Sequence, residues 1–308
     1  MKIISDTAEF YLDCETAAAI GKFDGVHLGH RKILDEICRR KKDGLQICVF
    51  TFDPAPAVFF GGNDGKELTT REEKRKLFEQ LGVDVLIEFP MNAITAATDP
   101  VYFAEKILAE QMRVRFLAAG PDLSFGDKGA GNVALLQKLA PSLNFEIKIV
   151  DKVRVEGQIV SSTLVRQEVE KGNLLIANRY MGMPYMISGE VVRGNRIGRT
   201  LGFPTLNVIP KKSKLLPPNG VYYSEVLMDG KRYRAISNVG NKPTIGNNLG
   251  YSVETYLYDF SGDAYGKKIQ IFLYEFKRSE RQFNGLKELQ CQLDEDIKAG
   301  SVYQKAEL

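Results

Sequence analysis

Ala17-Ala18-Ala19-Ile20, followed by Gly21-Lys22-Phe23-Asp24-Gly25-Val26-His27-Leu28-Gly29-His30, decides how the first half of the chain reads. The small, apolar opening predicts a buried strand, and residues 29–40 carry a helical pattern. Between them, Gly21 and Gly25 permit a tight loop that something else can approach closely. Gly29 leaves the first free amides of the helix open to an anion, and the helix dipole favours negative charge there. His27 and His30 stand three apart, so both can face one side of that turn and donate hydrogen bonds to phosphate oxygens. Histidines also serve as plain caps, and glycine-rich strand-to-helix turns are common. What separates this turn is that it holds both histidines of the chain. A zinc site would need more ligands than Asp24 adds.

Working outward, apolar runs alternate with helical patterns. Strands are predicted at 17–20, 46–51, 83–88, 116–119 and 145–150. Helices are predicted at 29–40, 71–81, 100–112, 132–139 and 163–171. Thr70 and Glu73 form a capping box, and Asp99 with Pro100 form an N-cap and first helical turn. Alternation of this kind predicts an α/β, Rossmann-like domain with a parallel sheet, whose ligands bind beyond the carboxyl ends of the strands. After about residue 182 the pattern becomes short strands separated by turns. Residues 221–228 and 231–239 flank Asp229-Gly230, a hairpin signal. Residues 253–260 and 268–276 flank Ser261-Gly262-Asp263. A helix with Leu286, Leu289, Leu293 and Ile297 on one face ends the pattern. The expected second domain is a small antiparallel β-barrel capped by a helix. Gly182-Met183-Pro184 marks the boundary, giving domains 1–182 and 183–308.

The 308 residues suit two domains, and 44% hydrophobic with 26% charged residues is ordinary for a globular protein. The net charge of +3 does not indicate a nucleic-acid or membrane partner. No apolar run reaches the ~18 residues of a membrane helix. Met1-Lys2-Ile3-Ile4-Ser5-Asp6 turns polar without an apolar stretch, so no secretory signal is expected. Cys14, Cys38, Cys48 and Cys291 form no CxxC pair and read as reduced thiols of a cytoplasmic protein. Monomer and homo-oligomer are both compatible with the sequence.

Further segments carry chemistry. Ser161-Ser162-Thr163-Leu164-Val165-Arg166 opens a helix, where it is either a plain N-cap or a phosphate grip. Gly189-Glu190-Val191-Val192-Arg193-Gly194 leads into Gly198-Arg199-Thr200-Leu201-Gly202-Phe203-Pro204-Thr205-Leu206-Asn207. That density of glycine suggests a backbone folded over a ligand, although Pro-Thr and Asn are also turn residues. There is no Walker A sequence, which excludes a P-loop kinase on motif grounds. Period-2 alternation puts Glu254 on one face with Tyr256 and Tyr258, opposite Val253 and Leu257. Glu254 is then either a cross-strand ion-pair partner or a functional acid/base.

Taken jointly, these segments resemble one family over nearly the whole chain. The Gly21–His30 stretch resembles the nucleotidyltransferase signature of prokaryotic FAD synthetase, the bifunctional riboflavin kinase/FMN adenylyltransferase. Thr51-Phe52-Asp53-Pro54, Gly120-Pro121-Asp122-Leu123-Ser124-Phe125-Gly126 and the Ser161–Arg166 segment resemble its further motifs, in order. Gly198–Asn207 resembles its riboflavin kinase motif. Asn238-Val239-Gly240-Asn241-Lys242-Pro243-Thr244 and Arg278-Ser279-Glu280-Arg281-Gln282-Phe283 resemble other kinase segments. Departures are Ala55 for a usual His, Leu123 for Phe, Leu164 for an often basic residue and Leu206 for Ala.

The resemblance implies an enzyme of FAD biosynthesis that acts on small molecules. Its C-terminal domain would phosphorylate riboflavin to FMN with ATP, and its N-terminal domain would adenylylate FMN to FAD with loss of pyrophosphate. It implies catalytic roles for His27, His30 and Glu254, the last as general base for the riboflavin 5′-hydroxyl. ATP would meet Gly21, Phe23, Asp24, Gly25, Gly29, Ser162, Thr163, Arg166, Gly198, Thr205 and Asn207. Flavin would meet Asp122, Phe125, Arg278 and Phe283. Mg²⁺ would take oxygen from Thr205 and Asn207. The alternatives are a kinase with a weakened or lost adenylyltransferase, marked by Ala55, and a non-catalytic flavin- or nucleotide-binding regulator.

Overall fold

A computed structural model describes residues 1–61, 65–194, 202–243 and 249–305. By packing, the chain divides into Met1–Lys66 with Arg71–Ser161, and Glu67–Thr70 with Ser162–Leu308. In the first unit, Lys2–Ser5 (β1), Thr16–Ile20 (β2), Gln46–Asp53 (β3), Val85–Pro90 (β4), Val114–Ala119 (β5) and Glu146–Ile149 (β6) make one sheet. Its order is β1-β4-β3-β2-β5-β6, and every pairing is parallel. Burial explains the composition: all five residues of β2 are buried, and Ile47 to Phe50 of β3 are 0% exposed. Strands covered on both faces lose the alternation of a half-exposed strand.

Helices Leu28–Cys38 (α1), Arg71–Gln80 (α2), 100–111 (α3) and Val133–Leu139 (α4) supply the crossovers. The Asp99 carboxylate caps α3, accepting from the amides of Val101 and Tyr102 at 2.9 Å. Beyond Tyr102 this helix winds as π-helix through Phe103–Gln111. The apolar spacing does not signal that widening, because it is compatible with either winding. Strand β1 was also not expected: it is an edge strand whose Ile3 is 40% exposed, so its polar flanks hid it.

The second unit begins with helices Ser162–Glu170 (α5) and Leu174–Met181 (α6), the latter unforeseen. Asn178 of α6 is fully buried. Its amide donates to the carbonyls of Leu273 and Tyr274 at 3.0 and 3.2 Å, and its oxygen accepts from the amide of Tyr185 at 2.7 Å. All its hydrogen-bonding groups are thereby used on the barrel, which is why α6 packs with the second unit. Gly182 ends the helix in the left-handed conformation, φ 65°.

The barrel comprises Tyr185–Val192 (β7), Thr205–Val208 (β8), Gly220–Met228 (β9), Lys231–Pro243 (β10), Leu249–Leu257 (β11) and Lys268–Ser279 (β12). It closes in the order β7-β8-β11-β10-β9-β12, all antiparallel, and Leu286–Val302 (α7) follows. Asp229 and Gly230, with φ 50° and 77°, turn the expected β9–β10 hairpin. The strands on either side of Ser261-Gly262-Asp263 are not partners: β11 pairs with β8 and β10, and β12 with β7 and β9. Closure of the barrel assigns their edges elsewhere. Leu286 departs from the expected apolar face and is 63% exposed at the start of α7.

One charge cluster braces the carboxyl edge of the sheet. Glu88, within the second half of β4, is 3% exposed and accepts from Arg71 Nε and Arg75 Nε at 2.8 Å. Arg71 also reaches Asp53 at 2.9 Å. Burial alone would push the Glu88 carboxyl up, but the bonds from Arg75 and Arg71 hold it below its ordinary value. Glu88→Ala should destabilise the first unit by about 2 kcal/mol, less than a fully buried pair because both arginines remain partly solvated. Urea unfolding checks this; an unchanged midpoint would mean that solvent replaces the carboxylate without cost.

Candidate active sites

The turn after β2 lies where the sheet reverses direction, since β3 and β5 flank β2 on opposite sides. Such a reversal opens a crevice at the carboxyl ends of the strands. The loop is pinned to β3: the Gly21 amide donates to the Phe50 carbonyl at 3.1 Å, and Thr51 Oγ1 donates to the Lys22 carbonyl at 3.3 Å. Phe23, Gly25 and Val26 take positive φ values of 48°, 83° and 43°. Two non-glycine residues are thus held in a costly conformation, as is common where a backbone is shaped to a ligand.

His27 is the N-cap of α1, and its Nδ1 accepts from the His30 amide at 3.4 Å. The proton of the neutral ring therefore sits on Nε2, which is left as a donor. The His27 and His30 rings stack with centroids 3.7 Å apart and planes 17° apart. Phe23 meets His30 edge-on at 5.2 Å. Burial pushes the His27 pKa down to about 4, partly opposed by the Asp122 charge. Burial and the neighbouring His27 push His30 well down. Both rings are neutral at pH 7, and His30 Nδ1 is buried with no hydrogen-bond partner. A Cβ at Gly29 would come within 3.1 Å of the His27 ring, so the glycine also makes room for the stack.

The other expected residues of this unit distribute as follows. Asp122 is exposed and pairs with Lys152 at 3.1 Å. Asp24 is half-buried on the Gly21–His30 loop. The side chains of Phe23 and Phe125 are 0% and 3% exposed, so both rings are core. Phe125 packs on Phe103, and Gly131 leaves it the space a Cβ would take. Leu123 also packs against the core. Ser162, Thr163 and Arg166 lie in the first turns of α5, in the second packing unit.

In the barrel unit a cavity of about 520 Å³ opens between the strands and α7. Thr205, Glu254, Arg278 and Phe283 line it together. Asn207, 8% exposed, faces Glu254 in the β8–β11 register, and Asn238 faces Glu254 from β10. The expected alternation holds in β11: Val253, Thr255 and Leu257 are buried, whereas Glu254 and Tyr256 line the cavity. Gly198 lies outside the described residues. Sequence reasoning gave no role to three groups found here. Asp296 and Gln292 sit on α7 beside its apolar stripe. Glu280 accepts from Asn238 Nδ2 at 2.9 Å, and its carboxylate fills the space where a Cβ on Gly240 would stand. The glycine in Asn238-Val239-Gly240 was the available sign of that close approach.

A glycine-rich strand-to-helix turn on a parallel sheet and a carboxylate-lined barrel cavity, on one chain, suit a transferase with two sites. Residues 11–164 match the FAD synthetase family model, and residues 181–303 match the riboflavin kinase model. A Bacillus subtilis bifunctional riboflavin kinase/FMN adenylyltransferase is 36% identical, covering 96% of each chain. The Listeria monocytogenes protein of the same description is 34% identical, covering 94% of this chain and 93% of that one. A crystal structure named as a macrolide-efflux protein from Streptococcus pneumoniae superposes with a TM-score of 0.84 at 27% identity, covering 98% and 99% of the two chains. Among the described residues no helix is long and apolar enough to cross a membrane. The chain belongs to the bifunctional riboflavin kinase/FMN adenylyltransferase family. It is an enzyme of FAD biosynthesis that uses ATP to make FMN from riboflavin and FAD from FMN. Both halves are matched, so the alternatives of a kinase alone or a non-catalytic regulator are not the readings supported.

The lowered His27 pKa has a measurable sign. The unfolded ring protonates near 6.5 and the folded ring near 4. The stability contribution is complete above pH 6.5 and is lost as pH falls toward 4, because the unfolded chain then binds the extra proton. The loss is on the order of 3 kcal/mol. His27→Asn keeps a capping oxygen but cannot titrate. Its unfolding free energy should fall less than that of the wild type between pH 6.5 and 4. Parallel profiles would show that His27 titrates normally in the folded protein.

Proposed function

We propose that the two activities divide at residues 182/183, with adenylyl transfer assigned to 1–182 and riboflavin phosphorylation to 183–308. The observation that carries the kinase assignment is the convergence of Thr205, Glu254, Arg278 and Phe283 on one cavity, with Asn207 across from Glu254. Its volume suits a small organic ligand. Glu254 accepts the proton of the riboflavin 5′-hydroxyl as that oxygen bonds to the γ-phosphorus of ATP and the bond to ADP breaks. Arg278 and Phe283 contact the flavin.

Thr205 and Asn207 fit Mg²⁺. They alternate on one face of β8 and offer neutral oxygens suited to a hard cation. The Asn207 amide is held against the Gly194 backbone, where a Cβ would come within 2.5 Å of Nδ2. When bound, the ion would offset phosphate charge.

In the N-terminal domain, an FMN phosphate oxygen attacks the α-phosphorus of ATP and pyrophosphate leaves. The nucleophile is already anionic, so positioning and charge stabilisation carry the step. His27 and His30 act there as neutral donors, in keeping with their lowered pKa values. The backbone of Gly21, Phe23, Asp24, Gly25 and Gly29 shapes the ATP site, with Asp122 toward the flavin or ribose, and Ser162, Thr163 and Arg166 are assigned to ATP phosphate by motif. A core Phe125 supports that loop from beneath. The enzyme works in the cytoplasm on small molecules, its cysteines reduced.

Incubation with riboflavin, ATP and Mg²⁺, followed by chromatography of the flavins, should give FMN and then FAD. Glu254→Gln should cut FMN formation by about a hundredfold or more while supplied FMN still becomes FAD. His30→Ala should do the reverse. Persistence of FMN formation in the first variant, or of FAD formation in the second, would remove that residue from its role.

A further inference from the structure

The carboxylate of Asp296 gathers bonds from three side chains. It is 2% exposed on α7, and it lines the same cavity as Arg278. Its Oδ1 accepts from Lys277 Nζ at 2.9 Å, from Arg278 Nε at 3.0 Å and from Gln292 Nε2 at 3.1 Å. Its Oδ2 accepts from Arg278 Nε at 3.1 Å and from Nη2 of the same guanidinium. The remaining arginine nitrogen, Nη1, donates to the Ser279 carbonyl at 2.9 Å. A planar fork held through each of its nitrogens has little rotational freedom left.

The backbone contributes to the same end. Neighbouring residues of a regular strand point to opposite faces, yet Lys277 and Arg278 reach one carboxylate. The register against β9 explains it: Val221 faces Arg278 and Tyr222 faces Phe276, so Lys277 is the extra residue of a β-bulge. A bulge re-aims the side chains beside it, and bulges gather near active sites. Two cations then share one buried anion. Burial would push the Asp296 carboxyl up, but the bonds from Arg278 and Lys277 hold it below its ordinary value.

We infer that Asp296 is a positioning residue of the riboflavin kinase reaction: working with the bulge at Lys277, it fixes the Arg278 guanidinium at the flavin. This rests on the assignment of the cavity and Arg278 to the flavin made above. Asp296 itself performs no chemistry. Its removal should therefore weaken riboflavin binding and leave the phosphoryl-transfer step largely intact.

A double-mutant cycle tests this, with riboflavin KM and kcat measured for the wild type, Arg278→Ala, Asp296→Asn and the double variant. Both single variants should raise riboflavin KM about tenfold, the size expected for losing charge-assisted bonds, with little change in kcat. The double variant should be no worse than Arg278→Ala alone, because Asp296 acts through that arginine. Adenylylation of supplied FMN should be unchanged in all three. An unchanged KM in Asp296→Asn, or effects that multiply in the double variant, would overturn the proposal. An unchanged KM in Arg278→Ala would instead remove Arg278 from the flavin site, and the proposal with it. If Asp296→Asn does not fold, judged by circular dichroism, Gln292→Ala keeps the charge and removes one bond to the carboxylate. It should raise KM about threefold, and an unaltered KM there would equally overturn the inference.

Discussion

The reversal of the sheet at β2 is the constraint on which the first unit depends. The chain leaves β2 toward β3 on one side and later returns to β5 on the other. The loops that follow β2 and β5 must therefore part, and a crevice is left between them. No strand continues past that edge, so the loops themselves shape the crevice. The positive φ values of Phe23 and Val26, the His27 cap and the stacked His30 ring all belong to this one turn. The strain is tolerated because the loop is tied to Phe50 and Thr51 of the neighbouring strand.

The barrel solves a different problem. Its interior is filled by residues such as Val253, Thr255 and Leu257, with the hydroxyls of Ser224, Ser237 and Thr255 linked at 2.8 Å. The cavity lies instead on the outer face, where α7 covers it. Outward-facing positions such as Asn238 of β10 and Glu254 and Tyr256 of β11 thus line it. Alternation, ordinarily a device for separating core from solvent, here separates core from a covered cavity.

The sequence was most legible where chemistry and conformation coincide. Gly21, Gly25 and Gly29 announced the turn because glycine meets both a backbone need and a close approach. The alternation of Val253 to Tyr258 predicted which side Glu254 takes. Less legible were features that depend on partners distant in the chain. Strand β1 is recognisable only by its pairing with β4, and α6 only by the bonds Asn178 makes to β12 and Tyr185. Phe23 and Phe125 read as ligand contacts from their place in motifs, and their buried rings show a packing role that the motifs do not announce. Asp296 carried no local sign: its importance comes from a bulge that no spacing rule reveals.

The contact between Gly240 and Glu280 ties two distant segments of the chain to one another. The carboxylate of Glu280 stands where any side chain at position 240 would begin. Neither position is then free to drift alone during evolution. A larger residue at 240 becomes tolerable only after 280 has shortened, and shortening 280 gives up its bond from Asn238. Inherited variation should reach the two sites as a pair, in a set order. The segment carrying Arg278 and Phe283 is thus held in place by the history the chain can take as well as by the bonds it makes.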